Sequence, residues 1–205
     1  MSHKSAELKR YLSIFSRFLI HQRIKTVLPF LQGNILDLGC GAASISEYLK
    51  PGITYVGIES KPDLYSWLLD HRPKYQFYLG DITSGNLDLG RRFDSVLMLA
   101  VLEHLQHPMP ALELARSHLE KSGALILTTP TPLGMRVHTI LARLGVVSSH
   151  AADEHQQAIT HSALNRLISN AGMRLTHSQK FLLGGNHLFV CTPYEKEGYP
   201  SDSGH

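Results

Sequence analysis

The spacing of apolar residues changes once along this chain, close to Asn34. Before that point apolar residues recur at three- and four-residue steps, among them Leu8, Phe15 and Leu19, which predicts an amphipathic helix in the first thirty residues. After it, short apolar stretches alternate with helical patterns of about ten residues. This alternation predicts right-handed βαβ units and a parallel sheet.

Five strands are predicted before Pro130, and helices connect them. Helices are expected at about residues 42–49 and 62–71, and a further helix is expected to end at Gly123. The fourth strand is almost entirely apolar, as is typical of a strand buried on both faces. The predicted strands lie at about residues 35–38, 54–58, 75–79, 93–99 and 124–129.

Proline, glycine and a polar stretch interrupt this pattern at about residues 130–160. The glycine pair at residues 184 and 185, followed by Asn186, suits a hairpin, so the last strand should run antiparallel to its neighbours. One more helix and two strands are predicted, at about residues 164–171, 174–182 and 187–192.

The chain is predicted to contain one α/β domain. The domain spans residues 33–193 and carries an insertion at about 130–160. A helical cap over residues 1–32 precedes it, and residues 194–205 are expected to be a disordered tail.

The charge of the chain bears on its partners, and its cysteine content bears on its cellular setting. Twenty Lys and Arg stand against 17 Asp and Glu, a balance too even to indicate a nucleic-acid partner. The two cysteines, Cys40 and Cys191, make neither a disulfide framework nor a zinc pattern, which favours a reducing, cytoplasmic setting. The oligomeric state is not predictable from the sequence.

The basic N-terminal helix has two interpretations. Its apolar stripe either packs on the domain's own core or covers a cleft, as such stripes usually do, or it makes a weak peripheral contact with a membrane surface. The first interpretation requires only the domain's own core.

The first predicted strand ends in Asp37, Leu38, Gly39, Cys40 and Gly41. Glycines at such a turn let the backbone approach a ligand, and the helix expected after it would present free N–H groups to the same crevice. A Gly-x-Gly by itself is equally compatible with a structural turn. Its position after a strand and before a helix favours a cofactor site.

Two further acidic positions follow neighbouring strands. Glu59 ends the second strand 22 residues after Asp37, where a carboxylate can accept both hydroxyl hydrogens of a ribose, although a solvated strand end is the simpler alternative. Ser60 follows it. After the third strand, Asp81 can accept the exocyclic amine of adenine while Ile82 packs against the ring.

The cofactor class follows from Asp37 and Ser44. Dinucleotide enzymes place a third glycine where this chain has Ser44. A carboxylate at Asp37 would repel a pyrophosphate but would attract the ammonium of a methionine moiety, directly or through water. The pattern therefore favours S-adenosylmethionine over a nicotinamide dinucleotide.

Together these motifs resemble the class I S-adenosylmethionine-dependent methyltransferases, particularly the small-molecule branch that includes the ubiquinone and menaquinone biosynthesis enzymes. The resemblance covers about residues 30–192. Its motifs are residues 35–41 (ILDLGCG), 55–59 (YVGIE), 80–82 (GDI), 93–96 (FDSV), 101–105 (VLEHL) and 123–130 (GALILTTP).

The resemblance implies a Rossmann-like, doubly wound, seven-stranded sheet with helices on both faces, mostly parallel with its last strand antiparallel. One departure is Ala43, where the family often has a third glycine, and a slightly altered loop is expected there. The cofactor contacts it implies are Asp37, Gly39, Cys40, Gly41, Glu59, Ser60, Asp81, Ile82, Leu99 and Ala100.

Two histidines are candidates for catalysis. His104 follows the fourth strand and is either a general base or metal ligand, or a structural residue. His155 lies where relatives place a lid over the acceptor and is either a base or part of a solvated loop. Metal-dependent relatives carry a second glutamate three residues before Glu103, where this chain has Ala100, so no metal is predicted.

The predicted function is methyl transfer from S-adenosylmethionine to a small-molecule acceptor. Because the sulfonium is already activated, alignment of the reactants is the protein's main task. Two alternatives remain: a non-enzymatic methyltransferase-fold scaffold subunit, and a nicotinamide-dependent oxidoreductase.

Overall fold

The computed structural model describes residues 14–85, 87–136 and 160–194. A seven-stranded sheet in the order β3-β2-β1-β4-β5-β7-β6 forms its centre. The strands are β1 (Ile35–Leu38), β2 (Tyr55–Glu59), β3 (Gln76–Leu79), β4 (Phe93–Leu99), β5 (Leu119–Pro130), β6 (Met173–Phe181) and β7 (Asn186–Pro193). The helices are α1 (Ile14–Val27), α2 (Pro62–His71), α3 (Met109–Ser117) and α4 (His161–Asn170).

Strand pairing confirms the predicted topology. The strands β1 to β5 pair in parallel, whereas β7 runs antiparallel to both β5 and β6. From β1 the sheet is built outward in one direction by β2 and β3, and in the other direction from β4 onward. The loops after the neighbouring strands β1 and β4 therefore lead away from each other and leave a crevice at the carboxyl edge of the sheet. The predicted site residues before Pro130 lie at this edge.

Both faces of the sheet are covered, as predicted for a doubly wound fold. One core joins the sheet to α3 and α4, and its members include Leu112, Leu164 and Phe189. The other joins it to α1 and α2 through Ile24 and Leu68.

Helix α1 packs on the domain and lies beside the glycine loop. Ile24 and Val27 are buried in the same core as Ala43. His21 Nδ1 and Tyr48 OH form a hydrogen bond of 2.9 Å, which joins α1 to the segment after the loop. These contacts show that the described part of the N-terminal helix packs on the domain's own core. No helix among the described residues is long and apolar enough to cross a membrane.

The helix predicted after the glycine loop is wrong in length and type. The structure has a five-residue 3-10 helix, Ser44–Tyr48. Ala43 before it has a φ of 50°, in the left-handed region, so regular α-helix cannot extend back through this residue.

The helix predicted to end at Gly123 is also wrong in its extent. The helix α3 ends at Ser117, and Gly123 lies within β5. A Cβ at Gly123 would stand 3.0 Å from the carbonyl oxygens of Phe93 and Asp94. Glycine therefore allows a close backbone approach to the irregular start of β4, and it is not a helix terminator.

The hairpin between β6 and β7 turns through Leu182 and Leu183, which both have positive φ angles. The two glycines that follow these leucines accept hydrogen bonds from the segment after β5. Thr131 N donates to Gly185 O at 3.0 Å, and Thr131 Oγ1 donates to Gly184 O at 2.7 Å. The hairpin thereby fixes where the insertion leaves the sheet. The rest of the insertion and the predicted tail beyond Tyr194 lie outside the described residues.

Candidate functional site

The glycine loop is attached to the end of β2. The backbone N–H groups of Gly39 and Cys40 both donate to Ile58 O, at 2.9 and 3.0 Å. Gly39 has a φ of 74°, and a Cβ there would stand 2.9 Å from Val101 Cγ2. At Gly41, with a φ of 56°, a Cβ would meet nothing within 4 Å, so the loop borders open space at that point.

Cys40 contributes to this loop through its backbone N–H and through its thiol, which donates to Gly41 O at 3.8 Å. Its side chain is buried, and a Cβ at Gly57 would stand 2.7 Å from its Sγ atom. Burial, together with the carboxylates of Asp37 and Glu59, raises the pKa of the Cys40 thiol. The thiol therefore packs in the core as a neutral group.

Glu59 joins the second strand to the glycine loop. Its Oε2 accepts a hydrogen bond from Gly41 N at 3.0 Å, and its Oε1 accepts one from Lys61 N at 2.9 Å. A carboxylate has about four acceptor positions, so both oxygens keep lone pairs for further donors such as the hydroxyls of a ribose. Ser60, next to it, is exposed.

Asp37 is a buried carboxyl group with one polar partner among the described residues. Tyr55 OH donates to its Oδ2 at 2.7 Å. Burial raises the pKa of Asp37 to about 7, the Tyr55 hydrogen bond opposes this rise, and the nearby Glu59 adds to it. A cation placed next to Asp37 would lower that pKa again, so this carboxyl group would gain from binding an ammonium.

The third strand leads to Asp81 and Ile82. Asp81 is exposed, and its Oδ1 accepts hydrogen bonds from both the N–H and the hydroxyl of Thr83, which lower its pKa. Ile82 is buried in the core that also contains Phe189. Asp81 is thus held in an ionised form at the edge of the crevice, beside an apolar side chain.

The end of β4 forms the other wall of the crevice. Ala100 follows Leu99 with a φ of 58°, a conformation that costs a non-glycine residue about 1 kcal/mol or more. Two hydrogen bonds from Ala100 N hold it, to Thr128 O at 2.9 Å and to Thr128 Oγ1 at 3.2 Å.

The half-buried Arg23 of α1 and the buried Glu103 after β4 form a pair of opposite charges that interact with each other. Within the described part of the chain, Arg23 Nε and Glu103 Oε2 are buried without a hydrogen-bond partner. Burial lowers the pKa of Arg23, whereas burial raises the pKa of Glu103 to about 7, and each group partly offsets the other's shift. Within the part of the chain that the structure describes, this pair therefore leaves one donor and one acceptor unused, although buried polar groups normally have partners.

Neither predicted catalytic histidine gains a role from the structure. His104 ends the 3-10 helix Leu102–His104 and is exposed. His155 lies outside the described residues. Among the residues that are described, no group of three or more His, Cys, Asp or Glu is arranged to hold a metal ion.

Sequence reasoning missed Tyr55 and Arg23. Tyr55 lies on β2 and reaches Asp37 only because β1 and β2 pair in parallel with Asp37 opposite Gly57. Arg23 reads in the sequence as one of several basic residues on an amphipathic helix. Its burial depends on how α1 packs, and no local pattern signals that.

The crevice fits a zwitterionic nucleoside better than a dinucleotide. Buried carboxyl groups at Asp37 and Glu59 flank the glycine loop, so a pyrophosphate there would meet negative charge. A methionine moiety carries an ammonium for this acidic side and a carboxylate, a group that arginine side chains bind well. The roles predicted for the individual cofactor contacts stay predictions.

Comparison with known proteins gives a consistent result. A family model described as a methyltransferase domain matches residues 9–178. A ubiquinone biosynthesis O-methyltransferase of Cereibacter sphaeroides is 30% identical over 106 residues, which are 50% of this chain and 43% of that protein. The corresponding protein of Xanthomonas euvesicatoria is 24% identical over 74% of this chain and 67% of its own length.

Among solved structures, a TehB-like SAM-dependent methyltransferase from Corynebacterium glutamicum superposes with a TM-score of 0.66 at 17% identity. The superposition covers 94% of this chain and 98% of that one. The chain spans less than half the length of the Cereibacter relative. These matches confirm the predicted fold class and family resemblance, and they favour neither the oxidoreductase nor the scaffold alternative.

Proposed function

This chain belongs to the methyltransferase domain family, and on that premise we propose that it transfers the methyl group of S-adenosylmethionine to a small-molecule acceptor. The observation that carries the proposal is the set of buried charges around the open glycine loop. Asp37, Glu59 and Glu103 supply acceptors, and Arg23 supplies a donor that no described residue uses.

The residues divide into three binding roles. Arg23 would bind the carboxylate of the methionine moiety, and Asp37 would attract its ammonium. Glu59 would accept hydrogen bonds from the ribose hydroxyls. Gly41 would help to orient this carboxylate, because Gly41 N donates a hydrogen bond to it. Asp81 and Ile82 would contact the adenine.

When bound, S-adenosylmethionine supplies a methyl group on a sulfonium that needs no further activation. The protein's own contribution is to hold the acceptor in line with that methyl group and to exclude water. Correct alignment alone contributes on the order of 7 to 11 kcal/mol to such reactions. Among the described residues, the walls available for this are α1 and the turn after β4.

Relatives support a small organic acceptor. The Cereibacter and Xanthomonas proteins are named as O-methyltransferases of ubiquinone biosynthesis. A partly apolar acceptor also agrees with the apolar α1 beside the crevice, where Phe18 is 49% exposed. The cytoplasmic location and a weak membrane contact through the N-terminal helix are further parts of this proposal.

Calorimetric titration tests the cofactor class. The purified protein is titrated with S-adenosylmethionine, S-adenosylhomocysteine and NADH, and binding of the first two at micromolar concentration is expected. Arg23→Met should weaken both by roughly 10-fold or more, since it removes a hydrogen bond between charged groups. Lys25→Met is the matched control, because Lys25 is an exposed residue of the same helix.

Two results would contradict this proposal. Binding of NADH alone would favour the oxidoreductase, and no binding of any of the three would favour the scaffold. Equal affinities of the Arg23→Met and Lys25→Met variants would remove Arg23 from the cofactor site.

A further inference from the structure

Two histidines from distant parts of the sequence lie together at the carboxyl edge of the sheet. His161 begins α4, and His187 is the second residue of β7. Their ring centroids are 5.8 Å apart, and both rings contact the ring of Phe189, at 4.1 Å from His187 and 5.6 Å from His161. The buried Phe189 thus supports the two imidazoles from below.

Strand register relates this pair to the cofactor crevice. His187 pairs with Thr129 of β5, one residue beyond the pairing of Leu99 with Thr128. Two strand spacings separate β4 from β7, which is about 10 Å. The space above the end of β5 therefore has the proposed methyl donor site on one side and His187 on the other.

His187 is held in its neutral form. Burial lowers its pKa, and the neighbouring His161 and Lys180 lower it further. These are the titratable groups that face it: Lys180 opposite it on β6 and His161 on α4, while its partner on β5 is the uncharged Thr129. Within the described residues neither imidazole has a hydrogen-bond partner, so a ring nitrogen of His187 keeps a free lone pair.

We propose that the acceptor is a hydroxyl compound bound above the end of β5, and that His187 accepts the proton of the hydroxyl group that is methylated. This inference rests on the proposed methyltransferase function. The half-buried His187 would take the proton, and the exposed His161 would pass it to solvent. Neither residue stands out in the sequence, because 26 positions separate them.

The proposed step balances in atoms and charge. The acceptor oxygen forms a bond to the methyl carbon as the bond from that carbon to sulfur breaks, and the electron pair stays on sulfur. The hydroxyl proton moves to the free ring nitrogen of His187, and the products are a methyl ether, S-adenosylhomocysteine and one proton. A general base of this kind contributes about 100-fold or more to the rate.

Histidine NMR tests the proposal without turnover. The protein is labelled with ¹⁵N-histidine and saturated with S-adenosylhomocysteine, and the soluble catechol 3,4-dihydroxybenzoate is added as the probe. The resonances of His187 and His161 should shift. Those of His177 should not, because His177 lies on β6 and its ring contacts that of Phe30 at a tilt, with ring centroids 4.8 Å apart, away from this pair.

Kinetics with the same probe give a second readout. His187→Gln should lower kcat for methylation of the catechol by roughly 100-fold. In the natural protein, kcat should increase with pH as the His187 base loses its proton, below the usual histidine range, and this increase should be absent from the variant. The affinity of the variant for S-adenosylhomocysteine should not change. His177→Gln is the control and should keep the activity and the pH profile of the natural protein.

The outcomes separate this inference from the function on which it rests. Failure of the natural protein to bind S-adenosylhomocysteine would refute the proposed function itself. If the protein binds it but does not methylate the catechol, or if the catechol leaves the His187 resonance unmoved, the hydroxyl-acceptor proposal is wrong. An unchanged kcat and pH profile in His187→Gln would likewise overturn the role of His187.

Discussion

Replacing Asp37 with asparagine should stabilise the protein at alkaline pH while weakening its proposed cofactor site. The pKa of this carboxyl group is raised from 3.8 to about 7, with burial as the largest cause. Above pH 7 the folded protein therefore holds an ionised carboxylate that the unfolded chain would keep in water. Asparagine has nearly the same shape, can still accept the Tyr55 hydrogen bond and carries no charge.

The size of the effect follows from the two pKa values. Because the folded state binds this proton more tightly than the unfolded state, stability falls as pH rises from about 4 to about 7 and is constant above that. At about 1.4 kcal/mol for each tenfold change in proton affinity, ionisation of Asp37 costs up to about 4 kcal/mol at pH 8 and about 1.7 kcal/mol at pH 5. The advantage of Asp37→Asn should therefore be about 2.5 kcal/mol larger at pH 8.

Urea denaturation of the natural protein and of Asp37→Asn at the two pH values measures this difference. Costs of burying the amide are the same at both pH values, and Glu103, whose pKa is also raised, is present in both proteins, so both contributions cancel. Asp70→Asn, an exposed change on α2, should show no pH-dependent advantage. A stability difference for Asp37→Asn that is equal at pH 5 and pH 8 would refute the reasoning.

Three other predictions concern ligand binding and backbone packing. If the ammonium of S-adenosylhomocysteine lowers the pKa of Asp37, binding of this ligand near pH 7 should release protons. Calorimetry in buffers of different ionisation enthalpy detects the release, and an uptake of protons would contradict the prediction. Glu59→Gln should weaken that binding by about 1.5 to 3 kcal/mol, whereas Glu113→Gln, an exposed change on α3, should not, and equal affinities would place the ribose elsewhere. Gly134→Ala should lower the unfolding free energy by roughly 1 to 3 kcal/mol, since its Cβ would stand 1.8 Å from Gly185 O; an unchanged denaturation midpoint would contradict that contact.

Local patterns in the sequence were enough to predict the sheet and the edge at which it binds ligands. Apolar periodicity depends on which face of each element is buried, so it identified the strands before Pro130. The glycine pair and Asn186 predicted the hairpin, and with it the antiparallel last strand. The loop at Gly39 and Gly41 and the acidic end of β2 at Glu59 are also local, because a strand end and the turn after it lie within a few residues. These features were sufficient to indicate the family.

Sequence patterns failed where backbone conformation depends on packing. The helix expected after Gly41 became a short 3-10 helix, because Ala43 adopts a left-handed conformation that alanine does not signal. Gly123 was taken as the end of a helix, although it lies in β5, where the chain passes close to the backbone of Phe93. Glycine marks both a helix end and a close approach, and the sequence alone does not distinguish them.

Only the tertiary structure decided which polar groups meet. Tyr55 reaches Asp37 through strand pairing, Arg23 faces Glu103 through the packing of α1, and His187 reaches His161 through the hairpin and α4. Eighteen positions separate the first pair and eighty separate the second, so no periodicity links them. The protonation state of a group depends on its burial and on its charged neighbours, and so does whether its donors find partners. Burial and such neighbours arise only when distant elements pack together.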